Sequence, residues 1–330
     1  MDKKPARLVD RFGRTIDYLR VSVTDRCDLR CGYCMPKDFK GFEEPSEWLT
    51  FEEIERVVGA FVSLGTSRVR LTGGEPLTRR NLPQLAARLS SLQGLEDLSL
   101  STNGTRLTRH ADALKQAGVS RLNVSLDSLS AQCVESITGR DCLDSVLQGL
   151  VAAQTAGFDP IKINMVVMPD VNEDHVQEMV DFCFDRGFLL RLIETMPVGD
   201  TGRGIGWVGL ERIVQGLRDR YGLIPELMPL GGGPARYWRT ADGKGQVGVI
   251  TPMSQHFCES CNRVRLSVDG TLYLCLGQEE SLNLRPHLRA GISDEQLCEL
   301  IRRAIELKPE RHDFLQKPEK IVRFMSQTGG

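Results

Sequence analysis

No stretch of the 330 residues approaches the roughly 18 consecutive apolar residues of a membrane-spanning helix. The first residues, MDKKPARLVDRFGR, carry no apolar core of the kind a secretory signal requires. Neither sign of charge dominates. With 42 Lys and Arg against 44 Asp and Glu, the net charge of −2 gives no general attraction to nucleic acid or to an anionic bilayer. There is no internal repeat, low-complexity tract or coiled-coil heptad. These absences argue against membrane-spanning, secreted and nucleic-acid-binding classes. They leave the expectation of a cytoplasmic protein whose partners must be argued from its sites.

What is present in quantity is cysteine, ten in all. A compartment that keeps thiols reduced does not favour a disulfide framework, so metal ligation is the better default. The length suggests about two domains, and 41% hydrophobic with 26% charged residues is ordinary globular composition.

The segment LRVSVTDRC alternates like a strand and runs into a cysteine loop. TFEEIERVVGAFVSLG then offers Thr50 as N-cap, Glu53 three residues on, and Ile54, Val57, Val58, Phe61 and Val62 at helical spacing, with Gly65 to end the helix. The pattern recurs through residue 225, giving about six strand-and-helix units. Such alternation predicts a parallel sheet with helical crossovers, doubly wound or curled into a barrel. The strand tips read TDRC, TGGEP, STNG, SLDS, KINM and ETM. Polar, glycine and acidic residues thus collect at the C-terminal edge, where α/β proteins bind ligands. Beyond residue 225 the chain becomes Gly- and Pro-rich with short strands. The expected division is therefore 1–225 and 226–330, with a last helix at about Asp294 to Leu307.

Two cysteine sets stop at three. Cys27, Cys31 and Cys34 lie in CDLRCGYC, and Cys258 and Cys261 in FCESC are followed by Cys275 beyond a hairpin turned at Asp269-Gly270. Spacing alone suits zinc or an iron-sulfur cluster. A structural zinc site takes four protein ligands, and His256 is too close to Cys258 to supply one easily. A 4Fe-4S cluster on three thiolates leaves one iron open to a non-protein ligand, which gives three a purpose.

CxxxCxxC followed by GGEP at the next tip resembles the radical S-adenosylmethionine enzymes. CNRVRL with Cys275 downstream, after GVITPMSQHFC, resembles the GTP 3′,8-cyclase (molybdenum cofactor biosynthesis protein A) family. The likeness runs through LTGGEPL, STNGT, LNVSLDSL, INMVVM and MPVG to Gly329-Gly330. It implies an α/β fold, a partial (βα)6 TIM-like barrel with a smaller C-terminal iron-sulfur cluster domain. It implies two 4Fe-4S clusters, on Cys27, Cys31 and Cys34 and on Cys258, Cys261 and Cys275, with S-adenosylmethionine on the first and the guanine of GTP on the second. It further implies S-adenosylmethionine contacts at Tyr33, Gly74, Glu75, Ser125 and Met196. GTP contacts fall at Arg20, Arg70, Thr102, Lys162, Arg263 and Arg265, and a C-terminal tail, Gly329 and Gly330, enters the active site and matters for activity together with Arg263 and Arg265. The partners implied are a low-potential donor such as flavodoxin or ferredoxin and a downstream cyclic pyranopterin monophosphate synthase, the enzyme itself being a monomer or homodimer. Thr195, in a place often aromatic, and LYLCLGQ depart from the commoner wording.

The residues speak for some of this independently. A triphosphate suits guanidinium groups, which donate in a planar fork and stay charged. Arg263 and Arg265 alternate on one strand and so share a face, and Asn164 and Arg191 are inward by the same parity. GGGP at Gly231 and DGKGQ near Lys244 lack the helix-opening GK[ST] of a P-loop, and TGRGIG does not match the dinucleotide fingerprint. Cys133, Cys142, Cys183 and Cys298 read as small hydrophobes, and His110, His175, His287 and His312 have no triad context. The rivals are a peptide-modifying radical enzyme with an auxiliary cluster and a non-catalytic electron carrier or zinc-binding module.

Overall fold

Thr50 opens the first helix as its composition requires. Its hydroxyl accepts from the Glu53 backbone N–H at 3.1 Å while the Glu53 carboxylate accepts from the Thr50 N–H at 2.8 Å. The computed structural model describes residues 7–226 and 232–329. Its elements run β1 (Tyr18–Ser22), α1 (Phe51–Ser63), β2 (Arg68–Thr72), α2 (Leu82–Ser90), β3 (Asp97–Thr102), α3 (Leu107–Gln116), β4 (Arg121–Ser125), α4 (Ala131–Thr138), α5 (Leu143–Thr155), β5 (Ile161–Val167), α6 (Val176–Arg186) and β6 (Leu189–Glu194). There follow α7 (Gly199–Ile205), α8 (Glu211–Tyr221), β7 (Ile224–Glu226), β8 (Arg236–Arg239), β9 (Gln246–Ile250), β10 (Arg263–Leu266), β11 (Thr271–Tyr273), β12 (Ser281–Asn283), α9 (Arg285–Arg289), α10 (Asp294–Glu306) and α11 (Met325–Thr328).

β1 to β6 pair in sequence order and in parallel, the (βα)6 partial barrel. The unit after β4 carries two helices where one was expected. SAQCVESIT has too few apolar residues to read as a helix, yet Ser130 caps α4 by accepting from the Cys133 N–H. The later strands extend both edges: β9 joins β6 in parallel and β10 joins β1 in parallel, each continued by an antiparallel hairpin. The order is linear, β12-β11-β10-β1-β2-β3-β4-β5-β6-β9-β8-β7. Glycine-rich loops and strands of three to five residues hid this addition from pattern reading.

Alternation gives each barrel strand two unlike faces. Leu19, Val21, Val69, Leu71, Leu98, Leu100, Leu122, Val124, Ile163, Leu190 and Leu192 are buried in one core with Val57, Val58 and Phe61 of α1 and Leu85 and Leu89 of α2. The intervening positions hold Arg20, Arg70, Ser99, Asn123, Lys162, Asn164 and Arg191, which therefore project to the concave side. Gly149 of α5 lets α3 approach: a Cβ there would stand 2.5 Å from the Gly104 carbonyl oxygen.

Both chain ends are tied to the barrel. Arg14 pairs with Asp10 at 2.6 Å and donates to the carbonyls of Cys258, Pro309 and Glu310 at 2.7 to 2.9 Å. α10 lies against α1, where Arg56 pairs with Asp294 at 2.7 Å. Among the described residues no helix is long and apolar enough to cross a membrane.

Phe61 is fully buried at the junction of α1 with the sheet. Phe61→Ala is expected to cost about 3 to 5 kcal/mol, and replacing Arg88, whose pairs with Glu52 and Glu55 are exposed, less than about 1 kcal/mol. Denaturant midpoints of the two variants measure the contrast, and similar losses would contradict this account of the core.

Candidate functional site

The first thiol set follows β1 at the C-terminal edge of the barrel. Its loop leans on α4, with Arg30 N–H donating to the Thr138 carbonyl at 2.8 Å and Gly32 N–H to that of Ile137 at 2.9 Å. Asp28 anchors it from the other side, accepting from Asn103 Nδ2, Thr105 Oγ1 and Arg106 Nε at 2.8 to 3.0 Å. Burial pushes Cys27 and Cys34 up to about 12 and Cys31 well above its ordinary range, each of Cys27 and Cys31 also sensing negative charge on its fellow thiols. Such thiols lose their protons only to a strong competing cation, as metal ligands do.

The TGGEP turn abuts this loop. Gly74 N–H donates to the Thr24 carbonyl and Glu75 N–H to that of Arg26, both at 2.8 Å. A Cβ on Gly74 would stand 2.4 Å from the Arg26 oxygen, so only glycine fits. The Glu75 carboxylate is wholly buried and accepts from Leu77 N–H at 3.0 Å, Thr102 Oγ1 at 2.7 Å and Asn103 N–H at 2.7 Å. Burial outweighs these donors and lifts it to about 7. Glu75 and Thr102 thereby clamp the tips of β2 and β3 together. Thr102 is bonded to Glu75 and is not part of the wall of the larger cavity described below.

Tyr33 donates its hydroxyl to Asp127 Oδ2 at 2.9 Å, and Val166 N–H donates to Oδ1 at 2.8 Å. Burial raises Asp127 to about 6 against these two bonds. Tyr33, Cys31, Asn103, Ser125 and Asp127 line one small pocket, so two of the residues expected at S-adenosylmethionine stand together there. Met196 lies instead on the larger cavity.

The second thiol set sits at the opposite end of the strands. Cys258 and Cys261 precede β10, which runs parallel to β1, and Cys275 follows antiparallel β11, so all three meet at the N-terminal end of the β1 direction. Five residues of β1 at about 3.3 Å each put roughly 16 Å between the two loops. Here the charge environment is reversed. Burial raises Cys258 and Cys275, whereas for Cys261 the charges of Lys308 and Arg263 overcome burial and pull it down to about 6.

Between the two ends runs a cavity lined by Tyr18, Arg20, Arg70, Asn164, Arg191, Arg263 and Arg265 together with Cys258, Cys261 and Cys275. Register explains the row: Arg265 stands beside Arg20, Arg20 beside Arg70 and Arg70 beside Ser99 on successive strands. Gly248, next to Arg191 in β9, makes room chiefly for the Tyr237 ring, since a Cβ would lie 2.5 Å from its Cε1 and 3.1 Å from Arg191 Cγ. The groups acting most on Arg20 are Arg265, Arg70, Tyr18 and Arg263, and those on Arg265 are Arg263, Cys261, Cys275 and Arg323. No carboxylate is among them. Burial first, then this mutual repulsion, pushes Arg20 well below its usual range. Arg20 Nε and Arg265 Nε are buried without a hydrogen-bond partner, which leaves donors free for an anion. Burial and Arg191 likewise bring Lys162 down to about 7, and its ammonium faces the Tyr237 ring at 5.5 Å.

The tail closes on the same region. Arg323 donates to the carbonyls of Cys275, Leu276 and Gln278 at 2.6 to 3.0 Å and pairs with Glu279 at 2.6 Å. Met325 reaches the cavity wall, and Gly329, at φ 72°, is so close to Thr72 that a Cβ would stand 2.2 Å from its Cγ2. Gly330 lies outside the described residues. Sequence reasoning missed Tyr18, Asp28, Asp127, Lys308 and His312. Strand parity would have found Tyr18, two residues before Arg20, but nothing local marks the others. Of the remaining cysteines Cys142 and Cys183 are buried, while Cys133 and Cys298 are partly exposed.

Among the described residues no three His, Cys, Asp or Glu side chains gather tightly enough for a single metal ion, though each thiol set is close enough for mutual electrostatic influence. A four-iron cluster spreads its ligands more widely than one zinc ion, so the residues fit the cluster better.

Two outcomes follow. Glu75→Gln sets an amide N–H against a backbone N–H, so a loss of about 1 to 3 kcal/mol is expected in thermal melts. For Asp127, whose folded value is raised from 3.8 to about 6, the stabilising contribution is intact below 3.8 and is lost as the pH rises through about 6. Asp127→Asn should remove about 3 kcal/mol of that pH dependence from the metal-free protein, and urea midpoints that keep the wild-type slope across this window would contradict it.

The description "Radical SAM superfamily" matches residues 21–183, and "Molybdenum Cofactor Synthesis C" matches residues 188–314. GTP 3′,8-cyclases of Hydrogenovibrio crunogenus and Ectopseudomonas mendocina are each 46% identical over 329 residues, covering 98% of this chain and 99% of theirs. Streptococcus suis SuiB bound to S-adenosylmethionine superposes with a TM-score of 0.58 at 14% identity, over 90% of this chain and 71% of that one, a likeness of fold alone. The two thiol sets, the cationic wall between them and near-end-to-end similarity to these relatives place the chain in the radical SAM superfamily and, within it, in the GTP 3′,8-cyclase family.

Proposed function

We propose that this protein converts GTP to (8S)-3′,8-cyclo-7,8-dihydroguanosine 5′-triphosphate, the first step of molybdenum cofactor biosynthesis. The observation that carries the reading is the row Arg265, Arg20 and Arg70, adjacent on neighbouring strands in a cavity that opens onto Cys258, Cys261 and Cys275. An anionic substrate with a metal-binding base suits such a cavity.

Cys27, Cys31 and Cys34 would hold the first 4Fe-4S cluster and Cys258, Cys261 and Cys275 the second. With S-adenosylmethionine bound, the first would supply one-electron cleavage of the sulfonium to methionine and a hydrogen-abstracting 5′-deoxyadenosyl group for the ribose C3′, and closing C3′ onto guanine C8 would need one further electron and a proton to give the dihydro product. The chain's task is to hold, align and exclude water. Residues 1–225 serve as the radical-generating barrel, with Tyr33, Gly74, Glu75, Ser125 and Met196 around S-adenosylmethionine. Glu75 acts through the turn it clamps, since its carboxylate is already committed to Leu77, Thr102 and Asn103, and Thr102 contributes in the same indirect way. Residues 226–330 carry the base-binding cluster. Arg20, Arg70, Arg263 and Arg265, with Lys162 and Arg191, receive the triphosphate through charge-assisted hydrogen bonds. Orphaned donors on Arg20 and Arg265 give it partners without breaking any existing bond. The tail, with Gly329 against Thr72 and Met325 on the cavity wall, covers the cavity. The setting is cytoplasmic, the reductant a flavodoxin or ferredoxin, the consumer of the product a cyclic pyranopterin monophosphate synthase, and the assembly a monomer or homodimer.

The test is anaerobic. Protein reconstituted with iron and sulfide, then reduced, should form 5′-deoxyadenosine from S-adenosylmethionine with GTP but not with ATP, and consume GTP to a cyclised product. Cleavage indifferent to GTP would sink the substrate assignment, and no cleavage at full cluster content would sink the enzyme. Arg20→Gln and Arg265→Gln should each raise the KM for GTP at least about tenfold while leaving S-adenosylmethionine binding unchanged. An unaltered KM removes the wall from the triphosphate site.

A further inference from the structure

Lys308 is 1% exposed just past α10, on the wall of the cavity beside the second thiol set. Its ammonium donates to the Arg263 carbonyl at 3.0 Å and to the Leu274 carbonyl at 2.5 Å. Arg263 lies two residues after Cys261, and Leu274 immediately precedes Cys275. One buried cation therefore stitches together the two arms that carry these cysteines.

The surroundings of this cation are unusual. The charged groups acting most on it are Cys261 and Cys275, which favour its charge, and Arg14 and Arg265, which oppose it. None is a carboxylate. Burying an ammonium without an anion is strongly unfavourable, and here two neighbouring guanidiniums add to the cost. The anion that would meet it is the thiolate-ligated cluster that Cys258, Cys261 and Cys275 are proposed to hold. The first set has the opposite polarity, with Asp28, Glu75 and Asp127 acting on Cys27 and Cys31.

Resting on the cluster placement proposed above, we propose that Lys308 is the fixed counter-charge of the second cluster, retaining it and holding its reduction potential above that of the first. A positive charge close to a cluster favours the reduced form, which is more negative by one charge, so its removal moves the midpoint to more negative potential. The lysine thus acts on the reaction as a positioning residue, through the cluster.

The experiment uses Cys27, Cys31 and Cys34 all changed to Ala, so that only the second cluster gives a paramagnetic signal. Lys308→Met, Lys308→Gln and Lys308→Arg are made in that chain and reconstituted with iron and sulfide. Met removes charge and donors, Gln keeps an N–H donor without charge, and Arg keeps the charge. EPR-monitored redox titration should show the midpoint more negative in the Met and Gln variants, and iron should pass to a chelator about tenfold faster. Arg should stay nearer wild type in both. In a chain lacking Cys258, Cys261 and Cys275 instead, Lys308→Gln should leave the first cluster's midpoint unmoved. A merely structural lysine would lower the melting temperature of all three variants with the midpoint fixed, and that result overturns the proposal. If the parent chain with Lys308 intact binds no iron, the two-cluster reading fails and takes this inference with it. If it binds iron whose midpoint ignores position 308, only the inference fails.

Discussion

A row of like charges lines one face of β1, β2 and β10, whose other face, at Leu19, Val21, Val69, Leu71, Val264 and Leu266, is apolar and buried. Arg20, Arg70 and Arg265 occupy neighbouring positions on β1, β2 and β10, and burial with mutual repulsion depresses Arg20 well below its usual range. This arrangement does not stabilise the fold. It is tolerated because the outward residues of the same strands, Leu19, Val21, Val69, Leu71 and their neighbours, bury a continuous core against the helices. The unfavourable inner face and the stabilising outer face are consequences of one alternation. Neither can be altered in register without altering the other.

The supports of this face come from far along the chain. Arg14 near the N-terminus holds the carbonyls of Cys258, Pro309 and Glu310, and Arg323 near the C-terminus holds those of Cys275, Leu276 and Gln278. Both use guanidinium forks on backbone oxygens beside the second thiol set. Both chain ends therefore fix the loops that carry those thiols, while the first set is fixed from within the barrel, by Asp28 with Asn103 and Arg106 at the tip of β3.

Much of this was legible in the sequence because its signals are local. The capping box at Thr50 and Glu53, the apolar spacing in α1 and the alternation in β1 are each written within a few residues. The cysteine spacing and the GGEP turn carried the family resemblance, and Gly74 is where it is for a steric reason the structure makes plain. What was hidden depends on pairing over long range. That β9 and β10 would complete the barrel's own sheet at both edges could not be read from short strands in glycine-rich sequence. Lys308, inside a charged segment that looks like a solvated tail, is buried because the second thiol set stands against it. Thr102 and Glu75, legible as site residues, are engaged with each other.

The two thiol loops sit at opposite ends of strands that run in the same direction, with the guanidinium row along the way between them. The sheet is in effect a ruler. Reactants anchored at both ends, as proposed, would be selected by the length they span together as well as by the groups they present, because strands held on both sides by hydrogen bonds cannot stretch to admit a longer pair. A single residue inserted into β1 would lengthen the ruler by about 3.3 Å and, in the same stroke, turn Arg20 away toward the helices. Reach and charge are calibrated by the same five residues.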